Sequence, residues 1–108
     1  MAATDRISAT EQLADGFAFL ESPRWHEGRL WAVDLYAQQV LCFDRDVKVE
    51  TRLAVPGTPT GLGWLPDGRM LIVAETFGRR LTAFDVASDA TLSHRRIFAD
   101  NARELFGL

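Results

Sequence analysis

Apolar positions along this chain come in short runs, each stopped by a turn signal before it could complete a helix of ordinary length. Short runs rich in β-branched and aromatic residues, bounded by Gly, Pro and Asp, predict strands. Eight are expected, at residues 23–26, 30–34, 39–44, 48–54, 61–65, 70–74, 81–85 and 92–99. Pro66-Asp67-Gly68 has the chemistry of a tight turn, with proline presetting φ and glycine free to take φ > 0. His26-Glu27-Gly28 ends with glycine in the matching place. Asp44 and Asp85 close strands, where an aspartate side chain can cap the next turn. LWAVDL and MLIVAE are nearly continuous apolar runs, as expected of strands covered on both faces. Residues 16–20 (GFAFL) could add a short strand. Residues 101–108 match no other segment and suggest a helical turn or a frayed end.

The second four segments repeat the first four. Trp25 falls on Trp64, Gly28-Arg29 on Gly68-Arg69 and Phe43-Asp44 on Phe84-Asp85, at offsets of 39, 40 and 41 residues. A period of about 40 residues made of four short strands is the signature of a β-propeller blade. The expected fold is therefore all-β, two four-stranded antiparallel blades in an incomplete ring. The blades would occupy about 22–55 and 60–99 within a unit spanning 16–100, flanked by tails at 1–15 and 101–108. Stacked face to face, they are expected to bury Trp25, Leu30, Val33, Leu62, Trp64, Ile72 and Val73. Two blades cannot close a ring, so the outer face of each should stay apolar and uncovered.

Composition changes this picture little. Hydrophobic residues make up 47% of the 108 and the net charge is −3, values of a globular domain without a nucleic-acid surface. Arg79-Arg80 and Arg95-Arg96 are expected on solvated strand faces. The start of the chain carries no signal peptide and no run is long enough to span a membrane, which leaves a cytoplasmic, non-membrane reading. The single cysteine, Cys42, lies in an alternating strand and is expected as a small core residue. His26 in a turn and His94 in an outer strand are both expected in solvent.

The segment ESPRWHEGRLWAVDLYAQQVLCFD, residues 21–44, resembles the first blade of the gluconolactonase family, also called the regucalcin or senescence-marker-protein family. The stretch IVAETFGRRLTAFDVASDATLSHRRIFAD resembles the second half of a later blade, and the resemblance covers about residues 17–100. It implies a six-bladed propeller that binds one divalent metal, Ca²⁺, Zn²⁺, Mn²⁺ or Mg²⁺, and hydrolyses sugar lactones. It also implies that Glu21, the Glu of E-S-P-x-W, is a metal ligand. The pattern departs at Pro59-Thr60-Gly61, where the family has P-N-G and the Asn is a ligand. A further ligand Asp would fall after Asp100. Truncation, or internal deletion joining two different blades, would account for both departures.

In an antiparallel meander the start of the first strand and the end of the second share one side. Glu21, Asp34, Thr60 and Glu75 are thus expected on one rim, where three carboxylates and a hydroxyl could hold a hard cation loosely. Asp34 and Glu75 are the local candidates for a general base, set against a plain strand-end role. No nucleophile elbow, Cys–His pair, P-loop or Rossmann glycine pattern occurs. The leading expectation is a piece of a metal-dependent lactonase propeller, with weak or no hydrolysis by the chain alone. The alternatives are a non-enzymatic module that assembles with copies of itself to cover its blade faces, or a fragment that binds a partner through a sheet edge.

Overall fold

In a computed structural model, described here for residues 11–99, the chain forms eight strands and no helix. They are β1 (Leu20–His26), β2 (Arg29–Asp34), β3 (Gln39–Phe43), β4 (Val49–Ala54), β5 (Pro59–Trp64), β6 (Met70–Glu75), β7 (Arg80–Val86) and β8 (Leu92–Ala99). Each set of four is an antiparallel meander, β1-β2-β3-β4 and β5-β6-β7-β8, with neighbours in sequence as neighbours in the sheet. Residues 16–19 stay outside the ladders, so the strand expected at 16–20 reduces to the start of β1. The expectation for residues 101–108 lies outside the described residues.

The turn between β5 and β6 forms as its sequence requires. The Gly68 amide donates to the Leu65 carbonyl at 2.8 Å, and the Arg69 amide donates to Asp67 Oδ1 at 3.0 Å. Gly68 has φ 74°, and a Cβ there would also press on the side chains of His26 and Glu27. Asp44 caps its turn by accepting from the amides of Asp46 and Lys48. Asp85 does not: it lies inside β7 and binds Arg96 and His94 across the ladder to β8.

Blade 2 packs on blade 1 around one apolar cluster. Trp31, Val33, Val40 and Cys42 come from blade 1, and Leu62, Leu71, Val73 and Phe84 from blade 2, with Val55 and Ala90 at the margin. Trp64 joins it edge-on to Trp31, with ring centroids 5.6 Å apart. Polar contacts bind the margin: Thr51 Oγ1 donates to the Ala90 carbonyl at 2.9 Å, and Arg29 Nη1 to the Ser88 carbonyl at 3.1 Å.

The core expected from sequence is correct for Val33, Leu62 and Val73, reached in part by Trp64, which is half-buried against the cluster, and wrong for three residues. Trp25 is 69% exposed, while Leu30 and Ile72 are only half-buried. Successive side chains on a strand point to opposite faces, so Leu30 cannot share a face with Val33, nor Ile72 with Val73. Trp25 pairs with Leu30 and faces the same way, towards the side where blade 1 has no neighbour. The same asymmetry separates β2 from β6. Residues 31–34 of β2 are all buried, whereas β6 alternates: each has one face without a blade on it, but only that of β2 meets the lead-in, whose Ala18 and Phe19 amides reach Asp34. The face of blade 1 away from blade 2 is partly covered by the lead-in, where Phe17 meets Phe43 edge-on at 5.5 Å.

His26 also departs from expectation. It ends β1, is half-buried and stacks on Trp64 with centroids 4.1 Å apart and planes 12° from parallel. Its Nε2 lies 3.1 Å from the Gly68 carbonyl, to which it donates in the tautomer protonated there. His94 is exposed, as expected. Cys42 is fully buried, and that burial pushes its thiol up to about 12.

Candidate functional site

Both blades open with the same irregularity. From Leu20 to Trp25, six residues of β1 oppose the five from Leu30 to Asp34 of β2. From Pro59 to Trp64, six residues of β5 oppose the five from Leu71 to Glu75 of β6. One extra residue in a strand is a β-bulge, a device that bends the strand and redirects side chains, often beside functional sites. Glu21, paired with Val33, flanks the first bulge, and Thr60 is the residue left unpaired in the second. Ser22, next to Glu21, takes φ 56°. The Glu21 side chain is exposed, and no described residue hydrogen-bonds to it. Thr60 is bound hydroxyl to hydroxyl with Thr76 of the β6–β7 turn.

The two other rim candidates end β2 and β6, and both are committed to the backbone of the segment leading into their own blade. Asp34 is buried and accepts from the amides of Phe19 at 2.9 Å, Ala18 at 3.0 Å and Ala37 at 3.4 Å. Glu75 is fully buried and accepts from the Gly57 amide at 3.1 Å. Arg95 donates to both of its carboxylate oxygens, at 3.0 and 3.3 Å, and Arg80 Nε lies 3.7 Å away. Gly57 has no room for a side chain, since a Cβ would run into Glu75. The adjoining backbone is tied in the same way: Leu35 donates to Phe19 in blade 1, and Phe77 and Gly78 donate to Gly57 in blade 2. Each carboxylate therefore fastens the segment leading into its blade to the turn after the second strand.

Burial raises the Asp34 carboxyl, but the amides of Ala18, Phe19 and Ala37 outweigh it and leave the group below its ordinary value. A carboxyl depressed by folding adds stability above its unfolded value, near 3.9, and that stability is lost as pH falls through the folded value. Asp34→Asn, which cannot titrate, should cost about 1–3 kcal/mol at neutral pH. In urea titrations from neutral pH downwards, the gap between wild type and variant should narrow below about pH 4. A gap constant with pH would refute the ionised role.

The arginines expected on solvated faces divide. Arg95 and Arg80 bind the buried Glu75, and Arg96 binds Asp85, while Arg79 stays exposed in a turn. At the other end of blade 1 an open groove is lined by Glu27, Arg29, Asp44, Arg45, Asp46 and Glu50, with Arg29 and Glu50 paired at 2.7 Å. Among the described residues no group of three or more His, Cys, Asp and Glu side chains is placed to hold a metal ion. Glu21 is thus one hard oxygen donor without companions in these two blades. Among the described residues no helix is long and apolar enough to cross a membrane.

Comparison with known proteins places this architecture. A family model described as the SMP-30/gluconolactonase/LRE-like region matches residues 57–107. No curated protein matches the chain. Among solved structures, a virginiamycin B lyase from Staphylococcus aureus is similar, with a TM-score of 0.56 and 14% sequence identity over 69% of this chain. The chain spans 26% of the length of that protein. At that identity the likeness carries the fold alone: two blades of a β-propeller.

Proposed function

We propose that these two blades, of which residues 57–107 match the SMP-30/gluconolactonase/LRE-like family model, are part of a propeller that hydrolyses sugar lactones with the help of one divalent metal. Glu21 is the residue assigned to that metal, whether Ca²⁺, Zn²⁺, Mn²⁺ or Mg²⁺. The observation that carries the reading is the exposed Glu21 carboxylate beside a bulge, in a segment that resembles the blade-opening motif of that family. Carboxylate oxygen suits hard divalent cations, and such an ion acts on a lactone as a Lewis acid at the carbonyl.

The described residues supply one donor of the kind needed, so no catalytic step is assigned to them. Asp34 and Glu75 are occupied by backbone amides and, for Glu75, by Arg95. Their proposed part is to hold the mouth of each blade in shape. Thr60, held by Thr76, lies at the bulge of blade 2. The chain by itself should therefore bind metal weakly and turn over little or no lactone.

Calorimetry with Ca²⁺ and Mn²⁺, paired with a pH-stat assay on an aldonolactone, tests this. The chain should bind with a dissociation constant on the order of 10⁻³ M, typical of a loose oxygen-ligand site. Binding should vanish in Glu21→Gln, and acid release should match spontaneous hydrolysis. Equal metal binding by both proteins would remove Glu21 from the site. Turnover by the wild-type chain that is lost in Glu21→Gln would overturn the expectation of an inactive piece.

A further inference from the structure

The contact between the two blades is built from faces that the repeat duplicates. Blade 2 presents Trp64, Leu71 and Val73 to blade 1, and blade 1 answers with Trp31, Val33 and Val40. Through the ladder registers, Trp25 and Leu30 of blade 1 correspond to Trp64 and Leu71. On the far face of blade 2, Ile72, Ala74 and Leu81 correspond to Trp31, Val33 and Val40. Each terminal blade thus carries one half of the same apolar interface, with no blade set against it in the described chain.

We propose that the face of blade 1 bearing Trp25 docks on the far face of blade 2 of a second copy of this chain. The fit follows from the interface already present. Trp64 is seated against the last residue of β1, His26, and against Trp31. The matching seat for Trp25 is formed by Leu65, Ile72 and the bare backbone of Gly63, where a Cβ would meet nothing within 4 Å. Trp25 is 69% exposed and ready to enter it. The lead-in covers Phe43 on the same face, yet leaves the indole clear. Glycine, alanine and aliphatic side chains at the seat leave room for a large aromatic, and the charges that face also carries, Asp85 of β7 and Arg96 of β8, are already paired with each other at 3.0 Å.

Because the two faces differ, the contact is head-to-tail, and such contacts either close into a ring or grow without end. Propellers close with about four to eight blades. Two-blade chains should therefore form a discrete ring of two, three or four copies. This inference concerns assembly and stands independently of the lactonase reading.

Light scattering coupled to size exclusion, at micromolar chain concentration, decides it. Wild type should elute as one species whose mass is two, three or four times 12.1 kDa. Trp25→Lys disables one face and Gly63→Lys the other, both at positions open to solvent in the single chain. Each variant should run at 12.1 kDa with an unchanged far-ultraviolet circular dichroism spectrum. Mixed together they retain one good face each and should form a 1:1 dimer. A monomeric wild type, open-ended growth, or a wild-type mass retained in Trp25→Lys would overturn the proposal. Failure of the two variants to pair on mixing would do so equally.

Discussion

Glu75→Ala is expected to lower the stability of the chain by about 3–5 kcal/mol, the range found when one partner of a buried ion pair is removed. Glu75 has no exposed surface, and its carboxylate joins three separate pieces of chain: the Gly57 amide ahead of β5, Arg95 in β8 and, more loosely, Arg80 in β7. Alanine leaves the buried Gly57 amide without its side-chain acceptor and two arginines without their counter-charge. Glu75→Gln retains an oxygen for Gly57 and loses only the charge, so it should cost less, about 1.5–3 kcal/mol. Urea titrations would read both as shifts in midpoint at constant slope. An alanine variant no less stable than the glutamine variant would show that the Gly57 contact contributes nothing.

Phe84→Ala should cost a similar amount, about 3–5 kcal/mol, for a different reason. Phe84 is 2% exposed and fills the centre of the inter-blade cluster. Its removal forfeits hydrophobic transfer energy and leaves a void walled by strands already fixed in their ladders, which limits collapse. Phe84→Leu returns most of the volume and should cost less than half as much. The same urea titrations would measure both. A leucine variant as unstable as the alanine one would mean that ring shape, not volume, governs the contact.

The position matching Phe84 in blade 1 is Phe43, and the comparison shows where sequence reasoning stops. The repeat, the eight strands and the turn at Pro66-Asp67-Gly68 were legible because each depends on residues close together in the chain. Burial of Cys42 was legible from the alternation around it. The fate of Trp25 was not, although its motif matches that of Trp64. The two indoles differ only in whether a blade lies ahead of them, and no local pattern encodes that. The coincidence of Ile72 with Val73 in one expected core ignored the two-residue period of a strand, so this error was avoidable. The role of Glu75 was hidden because its partners are 18 and 20 residues away. Asp34 was hidden likewise, since two of its three amide donors, Ala18 and Phe19, lie 16 and 15 residues away in a lead-in outside the repeat. Both bulges could have been found by counting six residues against five once the strand ends were known. For the candidate site, Glu21 rests on the resemblance of residues 21–25 to a family motif, while the geometry adds its exposure and its place beside a bulge.

The sequential order of the ladders bears on how the chain reaches its structure. Each strand pairs with the next one along, and the partners Leu20 and Asp34 are among the most widely separated within blade 1. Contacts between blades span far more chain, 42 residues from His26 to Gly68 and 59 from Arg29 to Ser88. Closing short loops costs less entropy and takes about 1–10 μs per hairpin, so the meanders should form before the blades meet. Chains are made from the N-terminus at about 5–20 residues per second, far slower than that. Blade 1 can thus complete its hydrogen bonding while blade 2 is still being synthesised. It waits with its apolar face bare until Leu62 and Trp64 arrive to cover it.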